Sequence, residues 1–386
     1  MFLFERLVGV GTYAALLVFI CLYMKNKPTK QLKGILLAYS IMLSILAFFY
    51  VPYESADLYR IYGFVENFQK YSFAEFYRTQ VENSNISLVN MLYWAIGKTG
   101  IKQLLPALVT FVCYSCVFYI IRRTAEKNQI SSKNVAIALF FYMSTGNYMF
   151  VVAGIRCMLG ISLLCFCFFR ESVEKKFSLF HIPLYVIAAF IHTFSAVLIA
   201  ARFVVAIFDS RTSPAGKLVY CVSLGLGGLL AFYNLDSYIT QILDKADSYL
   251  TGEHYSYFWE YAIAVIVSLV ILSALFKRRL ILKDSEIKLS IWCMYAIILL
   301  IIAVFLCWEF TIFHRLTTYI VPIIALPILM TFLEKNDTIC RISREKLRGA
   351  RISIRNASSD ILILSVLMLF VACSRGSLSS LKFFEL

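Results

Sequence analysis

Long apolar runs alternate with short basic segments along most of this chain. A helix that crosses the hydrocarbon core of a bilayer needs about 20 predominantly apolar residues, with a range of roughly 17–25. The pattern therefore predicts an all-α, polytopic membrane protein, a single membrane domain over residues 1–386 with about twelve transmembrane helices. The long runs lie near residues 7–24, 35–52, 104–121, 135–152, 154–169, 178–191, 193–208, 217–233, 259–276, 289–307, 314–333 and 360–374.

The distribution of basic residues predicts the orientation of these helices. Cytoplasmic loops carry an excess of Lys and Arg, and most of the 37 basic residues fall in every second connecting segment. The segments between them, 53–103 and 235–258, carry at least as many acidic as basic residues, so we expect them to be outer loops. The basic segments, which we expect in the cytoplasm, are 25–34, 122–133, 170–177, 202–217, 277–288 and 334–358.

Two stretches could cross the membrane or not, judged by length alone. The requirement that all basic segments lie on one side of the membrane decides between these possibilities. The short run at 86–97 is expected to be a partial helix in the outer half of the bilayer, because a full span would place Arg122 and Arg123 outside. The stretch 178–208 is expected to form two short helices that meet near His192, because one long helix would invert every later segment.

Composition and charge exclude several classes of protein. The chain is 60% hydrophobic and 16% charged, which excludes an ordinary soluble domain. Its net charge of +14 is scattered among apolar runs, so we expect no nucleic-acid partner. The pair Cys113-x-x-Cys116 lacks a second ligand pair, and most of the 11 Cys lie in apolar runs. We therefore expect no metal ion and no cofactor.

Ionisable residues next to the apolar runs gather at the predicted outer ends. Inserting one charged side chain at the centre of a membrane helix costs about 2.5–3.5 kcal/mol of free energy. A cluster of such side chains at one side of the membrane therefore indicates a functional site. Arg156 and Arg315 precede apolar runs, and each could bind phosphate through a forked guanidinium beside free helix N–H groups. Snorkelling to the interface is the alternative for both arginines.

Three further residues have chemistry of their own. His192 lies between apolar neighbours that favour a neutral imidazole, which could accept a proton, although bonding to a backbone carbonyl of a broken helix is the alternative. Asp57 and Arg60 have the i, i+3 spacing of a simple ion pair. Leu58, Ile61, Tyr62, Val65 and Phe68 have helical spacing, and the predicted amphipathic helix could lie on the bilayer surface.

Four short strings of sequence resemble the EpsG family of polysaccharide-assembly proteins. The family looks like the Wzy-type polymerases of capsule, exopolysaccharide and O-antigen synthesis. This resemblance implies a GT-C-like membrane fold for the chain. In this chain Cys157 stands where the family often has a glutamine. The strings are Ala56-Asp-Leu-Tyr-Arg-Ile-Tyr62, Ala153-Gly-Ile-Arg-Cys-Met-Leu159, Ala189-Phe-Ile-His-Thr-Phe-Ser195 and Phe313-His-Arg-Leu-Thr-Thr-Tyr319.

The resemblance implies a metal-independent glycosyltransferase in the bacterial inner membrane. It would join repeat units linked to undecaprenyl pyrophosphate on the outer face, together with a flippase and a chain-length regulator. His192, or alternatively Asp57, would be the base, and a lipid-linked sugar transporter and a membrane O-acyltransferase are the competing functions. The residues expected to bind substrate and pyrophosphate are Arg156, Arg315, Arg60, Tyr62 and Tyr319.

Overall fold

Helices form nearly all of the regular structure in the part of the chain that the computed structural model describes. That part comprises residues 2–54, 56–82, 87–174, 180–192, 194–209, 212–233, 257–281, 290–305, 313–346, 357–374, 378 and 381–383. The first half contains α1 (Phe2–Lys25), α2 (Leu32–Phe48), α3 (Asp57–Phe68), α4 (Phe73–Phe76), α5 (Ser87–Gly97), α6 (Leu104–Asn128), α7 (Ser132–Ser144), α8 (Asn147–Ala153) and α9 (Ile155–Ser172). The second half contains α10 (His181–Ile191), α11 (Ser195–Phe208), α12 (Pro214–Tyr233), α13 (Tyr257–Ile281), α14 (Ser290–Phe305), a π-helix (Arg315–Ile320), α15 (Val321–Lys346) and α16 (Ala357–Ser374).

Five of the described helices are long and apolar enough to cross a membrane. They are α1, α2, α6, α16 and the helix formed by the π-helix with α15. In the last of these helices, 94% of the most apolar 18-residue stretch is buried, so this helix lies at the centre of the bundle. Large apolar side chains also cover the outside of the bundle; Leu22 is 61% exposed and Phe370 is 69% exposed. Such an apolar exterior is stable only in lipid, so the chain is a membrane protein.

The run at 135–152, which the sequence predicts as one span, is bent. Its two halves, α7 and α8, meet at an angle of 57°. Gly146 stands at the bend with a φ of 80°, in the left-handed region that side chains other than glycine rarely adopt. A straight helix over this run is therefore wrong, although the bent pair together is long and apolar enough to be one span. One glycine in an apolar run gives no sign of whether the chain turns there.

Two short stretches of the sequence have the predicted form. The short run forms α5, a helix of 11 residues. The stretch 178–208 forms two helices, and α10 ends at Ile191, one residue before His192. Its partner α11 begins at Ser195. The three helices have 11, 11 and 14 residues, so each is shorter than the roughly 17–25 residues of a straight membrane-spanning helix. The spans expected at 178–191 and 193–208 are therefore not confirmed.

The amphipathic helix predicted after residue 56 is present, but protein and not lipid covers its apolar face. The predicted stripe is buried along the whole of α3, from Leu58 at 0% exposure to Phe68 at 5%. The covering element is α5, whose Gly97 comes close to the backbone of Val65. The expectation of a bilayer-surface helix was wrong because periodicity shows that a face is apolar without showing what covers it.

Each of the basic segments that the sequence places between spans is helical in part. Arg202 lies inside α11, and α15 continues through residues 334–346. Near this point the Glu334 carboxylate accepts hydrogen bonds from the backbone N–H and hydroxyl of Ser131 and from the Asn134 amide. These bonds hold the first turn of α7 against α15. The predicted outer loop 235–258, apart from its last two residues, and the basic stretch 347–356 lie outside the described residues.

The contact between α3 and α5 gives a test of this packing. A Cβ added at Gly97 would lie 2.7 Å from the Val65 carbonyl oxygen. We therefore expect Gly97→Ala to destabilise the protein by about 1–3 kcal/mol, measured as a lower midpoint of thermal unfolding in detergent. Gly34→Ala is the matched control, because that helical glycine has nothing within 4 Å of its added Cβ. Equal midpoints for the two variants would contradict the close contact.

Candidate active site

Two glycines place Arg156 at the start of a helix. After the bend at Gly146, α8 lasts only seven residues. At Gly154 an added Cβ would lie 2.8 Å from the carbonyl oxygen of Phe150, so the chain can leave α8 there only with glycine. The next helix, α9, begins at Ile155, and Arg156 is its second residue. The N–H groups in this first turn of α9 have no carbonyl partners within the helix.

Arg156 is mostly buried and only weakly paired. Its Nη2 lies 3.7 Å from Oδ2 of Asp57, and the two side chains are 28% and 38% exposed. This separation is too long for a hydrogen bond, although it is within the range of an ion pair. The buried Nε of Arg156 has no hydrogen-bond partner. The other oxygen of Asp57 accepts a hydrogen bond from Arg60, so the predicted i, i+3 pair is present.

An apolar groove begins beside Arg156. It has a volume of about 380 Å³ and lies between α5, α9 and α10. Tyr93 of α5 also lines it, within electrostatic range of Arg156, Asp57 and Arg60. The hydroxyl of Tyr93 is buried without a hydrogen-bond partner. The groove is otherwise lined mainly by Leu88, Val89, Leu92, Ile155, Leu159, Ile187 and Ile191.

A second, larger cavity lies on the other side of α3, and we call it the tyrosine cleft. It has a volume of about 690 Å³, and Tyr50, Tyr59 and Tyr62 contribute aromatic rings. The hydroxyls of Tyr50 and Tyr62 are buried without hydrogen-bond partners. Lys102 lines the same cleft, with its ammonium 5.0 Å from the centre of the Tyr62 ring and paired with Glu66.

Arg315 approaches Arg156 from the centre of the bundle. It begins the π-helix, a wider turn that is common at functional sites. The charges of Arg315, Arg156 and Asp57 all act on the thiol of Cys157, the residue after Arg156. The three groups therefore lie within electrostatic range of the start of α9. Glu309, the acidic residue nearest to Arg315 in sequence, lies outside the described residues.

Tyr319 is held in an aromatic cluster. Its ring centre lies 4.4 Å from that of Phe150 and 5.5 Å from that of His314. Phe150 belongs to α8 and precedes the break at Gly154, so the cluster joins the π-helix to the turn that carries Arg156. The amide of Asn147 strengthens the same junction by donating to the Thr318 carbonyl at 3.2 Å.

His192 makes a local backbone contact. Its Nδ1 accepts a hydrogen bond from the N–H of Phe194 at 3.1 Å, across the gap between α10 and α11. A neutral imidazole that accepts at Nδ1 carries its proton on Nε2. In this state Nε2 is a donor, and the proton-accepting nitrogen is occupied by the backbone. The preceding residue, Ile191, lines the apolar groove.

The structure thus brings Asp57, Arg60, Arg156 and Arg315 into one region, with Tyr62 on the same helix as Asp57. Sequence reasoning missed Tyr93 and Tyr50. Each is an isolated phenol in or beside an apolar run, a signal that cannot be separated from ordinary interfacial aromatics. Among the described residues, no group of three or more His, Cys, Asp or Glu side chains could hold a metal ion.

These features define a polytopic helical membrane protein with two arginines, Arg156 and Arg315, near the start of α9. The model of the EpsG family matches residues 98–342. The chain therefore belongs to the EpsG family, whose members are Wzy-type polysaccharide polymerases of the glycosyltransferase type. The match includes Arg156, His192 and Arg315, whereas Asp57 precedes it. No curated protein and no solved structure matches the chain.

The backbone contact of His192 predicts a specific pattern of stability. His192→Ala removes the acceptor for the Phe194 N–H and is expected to cost about 1 kcal/mol, the usual cost of losing a helix cap. His192→Asn should keep most of that stability, because an Asn oxygen accepts from the N–H two residues later in an Asx-turn. Thermal unfolding of both variants measures the difference. An equal loss in both would mean that ring packing, and not the hydrogen bond, stabilises this junction.

Proposed function

We propose that this protein lengthens a polysaccharide by transferring a growing glycan from undecaprenyl pyrophosphate to another lipid-linked repeat unit. The observation that carries the proposal is the position of Arg156, which lines an apolar groove and has unsatisfied donors. An isoprenoid pyrophosphate has the complementary parts, because its chain is apolar and its head is a strong anionic acceptor. A headgroup at Arg156 would leave the isoprenoid chain in the groove.

In this proposal the arginines stabilise the leaving group. Negative charge develops on the pyrophosphate as the glycosidic bond to it breaks, and fixed cations in a dry site stabilise that charge. Arg156 and Arg315 would bind its oxygens, and Arg60 would orient the phosphate or glycan. The donor already carries the activated bond, so the reaction needs no ATP and we propose no metal ion.

Asp57 is the better placed of the two candidate bases. The accepting nitrogen of His192 is occupied by the Phe194 N–H, whereas Asp57 carries a carboxylate next to Arg156. When pyrophosphate binds Arg156, it competes with Asp57 for the guanidinium. Asp57 would then be released to accept the proton of the attacking sugar hydroxyl, and His192 would position the α10–α11 junction.

The tyrosine cleft is the proposed position of the sugars. Tyr59 is 51% exposed there, and its ring and that of Tyr62 offer apolar faces for sugar rings. The unpartnered hydroxyls of Tyr50 and Tyr62 offer hydrogen bonds. Tyr319, packed between Phe150 and His314, would act by holding Arg315 in place.

The charge distribution of the sequence supports the proposed orientation. We propose about twelve spans and one partial helix, a GT-C-like arrangement, with the arginine site on the outer face of a bacterial cell membrane. Substrate would reach this face through a flippase, and a chain-length regulator would limit the product. Capsule, exopolysaccharide and O-antigen are the polymers that such a site could make.

A transporter of lipid-linked sugars is a second candidate, because the structure corrects one expectation from sequence. The intramembrane charges do not lie at one end only. Glu171, His181 and Arg202 form a buried cluster at the opposite end of α9. Against transport, α9 packs tightly on the α10–α11 junction between the two ends. An added Cβ at Gly160 would lie 2.6 Å from the Ser195 hydroxyl.

Arg156 gives the direct test of polymerase function. In detergent, where no translocation occurs, purified protein with lipid-linked repeat units should give a ladder of longer products. Arg156→Ala is expected to lower the rate about 10²–10³-fold, the usual cost of losing a charge-stabilising donor. Arg156→Lys should also be impaired, because it keeps the charge but loses the forked donor.

Arg122→Ala is the matched control, because Arg122 pairs with Glu126 within α6 and lies outside the site. Its product ladder should equal that of the wild type. The polymerase proposal would be wrong if Arg156→Ala retained full chain growth. Translocation in proteoliposomes without any chain growth would establish the transporter instead.

The choice of base has its own test. Asp57→Asn is expected to lower the turnover rate by about 10²-fold or more, within the usual contribution of a positioned base. His192→Asn should have a much smaller effect, since it keeps the backbone hydrogen bond. A larger loss in His192→Asn than in Asp57→Asn would identify His192 as the base.

A further inference from the structure

A third cavity, separate from the apolar groove and the tyrosine cleft, lies near the C-terminal end of α9. It is polar and lies between α9, α10, α11 and α12. Its volume is about 420 Å³. Glu171 of this cavity is separated from Arg156 by roughly 22 Å along the helix, at 1.5 Å per residue. Gly160, packed on Ser195, lies between the two positions. The cavity is therefore distinct from the proposed active site. Its lining includes Phe168, Glu171, Tyr185, Arg202, Phe203 and Tyr220.

Arg202 brings unused hydrogen-bond donors to this cavity. It lies in the middle of α11, an apolar helix, and its side chain is only 19% exposed. Its ionic contact among the described residues places Nη2 3.8 Å from Oε2 of Glu171, which is too long for a hydrogen bond. The buried Nε has no hydrogen-bond partner. A buried guanidinium without acceptors is costly, so its position beside a cavity indicates a bound acceptor.

Glu171 brings the opposite charge, and only one of its oxygens is fully engaged. Oε1 accepts a hydrogen bond from the Tyr185 hydroxyl at 2.6 Å and lies 3.1 Å from Nδ1 of His181. Oε2 faces Arg202 across the longer gap. The cavity thus presents a cation with free donors and an acceptor oxygen side by side. A ligand that carries both charges satisfies both groups, whereas a simple anion would be repelled by the carboxylate.

The surroundings of the cavity favour an occupant from the bilayer. On α10, Ile182 and Val186 are 50% and 49% exposed, and on α12, Leu218 and Val219 are 65% and 62% exposed. Large apolar side chains exposed to this extent on a membrane protein face lipid. The cavity itself has aromatic walls, and aromatic faces attract ammonium groups.

We propose that this cavity binds the headgroup of a zwitterionic phospholipid with a primary ammonium, such as phosphatidylethanolamine. The phosphate accepts hydrogen bonds from Arg202, and the ammonium donates to Oε2 of Glu171. The ring of Tyr220 borders the ammonium, and the acyl chains lie along the apolar surfaces of α10 and α12. Phosphatidylcholine lacks the N–H donors, and phosphatidylglycerol lacks the ammonium. This site is independent of the proposed polymerase function.

The lipid preference of the wild-type protein tests the proposal without any substitution. The full chain is reconstituted in nanodiscs with equal parts of phosphatidylethanolamine, phosphatidylcholine and phosphatidylglycerol. The lipids retained after stepwise delipidation are then measured by native mass spectrometry. We expect phosphatidylethanolamine to be retained over both others. Equal retention of the three lipids, or preference for phosphatidylglycerol, overturns the proposal. Inorganic phosphate is added in a parallel sample, and displacement of the lipid by it would show a simple anion site.

Two substitutions separate a lipid site from a structural ion pair. Arg202→Gln should reduce retention of phosphatidylethanolamine about tenfold, the effect of losing one charge-assisted hydrogen bond. Glu171→Gln should shift the preference toward phosphatidylglycerol, because Arg202 then has no carboxylate beside it. Lys217→Gln, which removes a positive charge near the start of α12 but outside the cavity lining, should retain the wild-type pattern. Unchanged lipid preference in both Arg202→Gln and Glu171→Gln would mean that the pair serves packing alone.

Discussion

A buried guanidinium needs acceptors, and the carboxylate that faces Arg156 stands too far away to supply a hydrogen bond. Asp57 lies 3.7 Å from Arg156, and the Nε of the arginine has no hydrogen-bond partner. Gly146 and Gly154 interrupt the helix before and after α8. They place the positive charge of Arg156 at the start of α9, next to the apolar groove. The bundle therefore holds a partly buried cation whose Nε has no acceptor within the described protein, and an anionic ligand would supply one. The proposed chemistry depends on this unsatisfied charge.

Each end of α9 lies beside a partly buried arginine, but the neighbouring charges differ between the two ends. At the first end Arg60, Arg156 and Arg315 carry positive charge, and Asp57 pairs with Arg60 and Arg156, so positive charge exceeds negative charge among these groups and the region favours an incoming anion. At the other end Arg202 faces Glu171, and the charges nearly balance. The first environment suits a group that carries net negative charge, and the second suits a neutral ligand with separated charges. Close packing at Gly160 keeps these environments apart.

Sequence predicted the elements whose signal is local. Arg156 could be found because a charge directly before an apolar run has few structural uses. The gap at His192 could be found because one long helix would have reversed every later basic segment. The bend at Gly146 could not be found, since helices in membranes often contain glycine without turning. Arg202 was misplaced because charge counting treats a basic residue near the end of an apolar run as part of a loop. Tyr50 and Tyr93 became visible only when distant helices brought them to cavities.

One wall of the tyrosine cleft is formed by Phe383, which lies far along the sequence from the other lining residues, within 48–66 and 102–103. Phe383 lines the cleft, and the neighbouring Lys382 accepts a backbone hydrogen bond from Val51 and pairs with the buried Glu5. The added Cβ of Gly9 would lie 2.5 Å from the Leu381 carbonyl oxygen, so this segment also lies directly on α1. During translation α1 enters the membrane hundreds of residues before this wall is made. The cleft therefore lacks this wall until residues 381–383 have been made, long after Arg156 and Arg315 have been added to the chain.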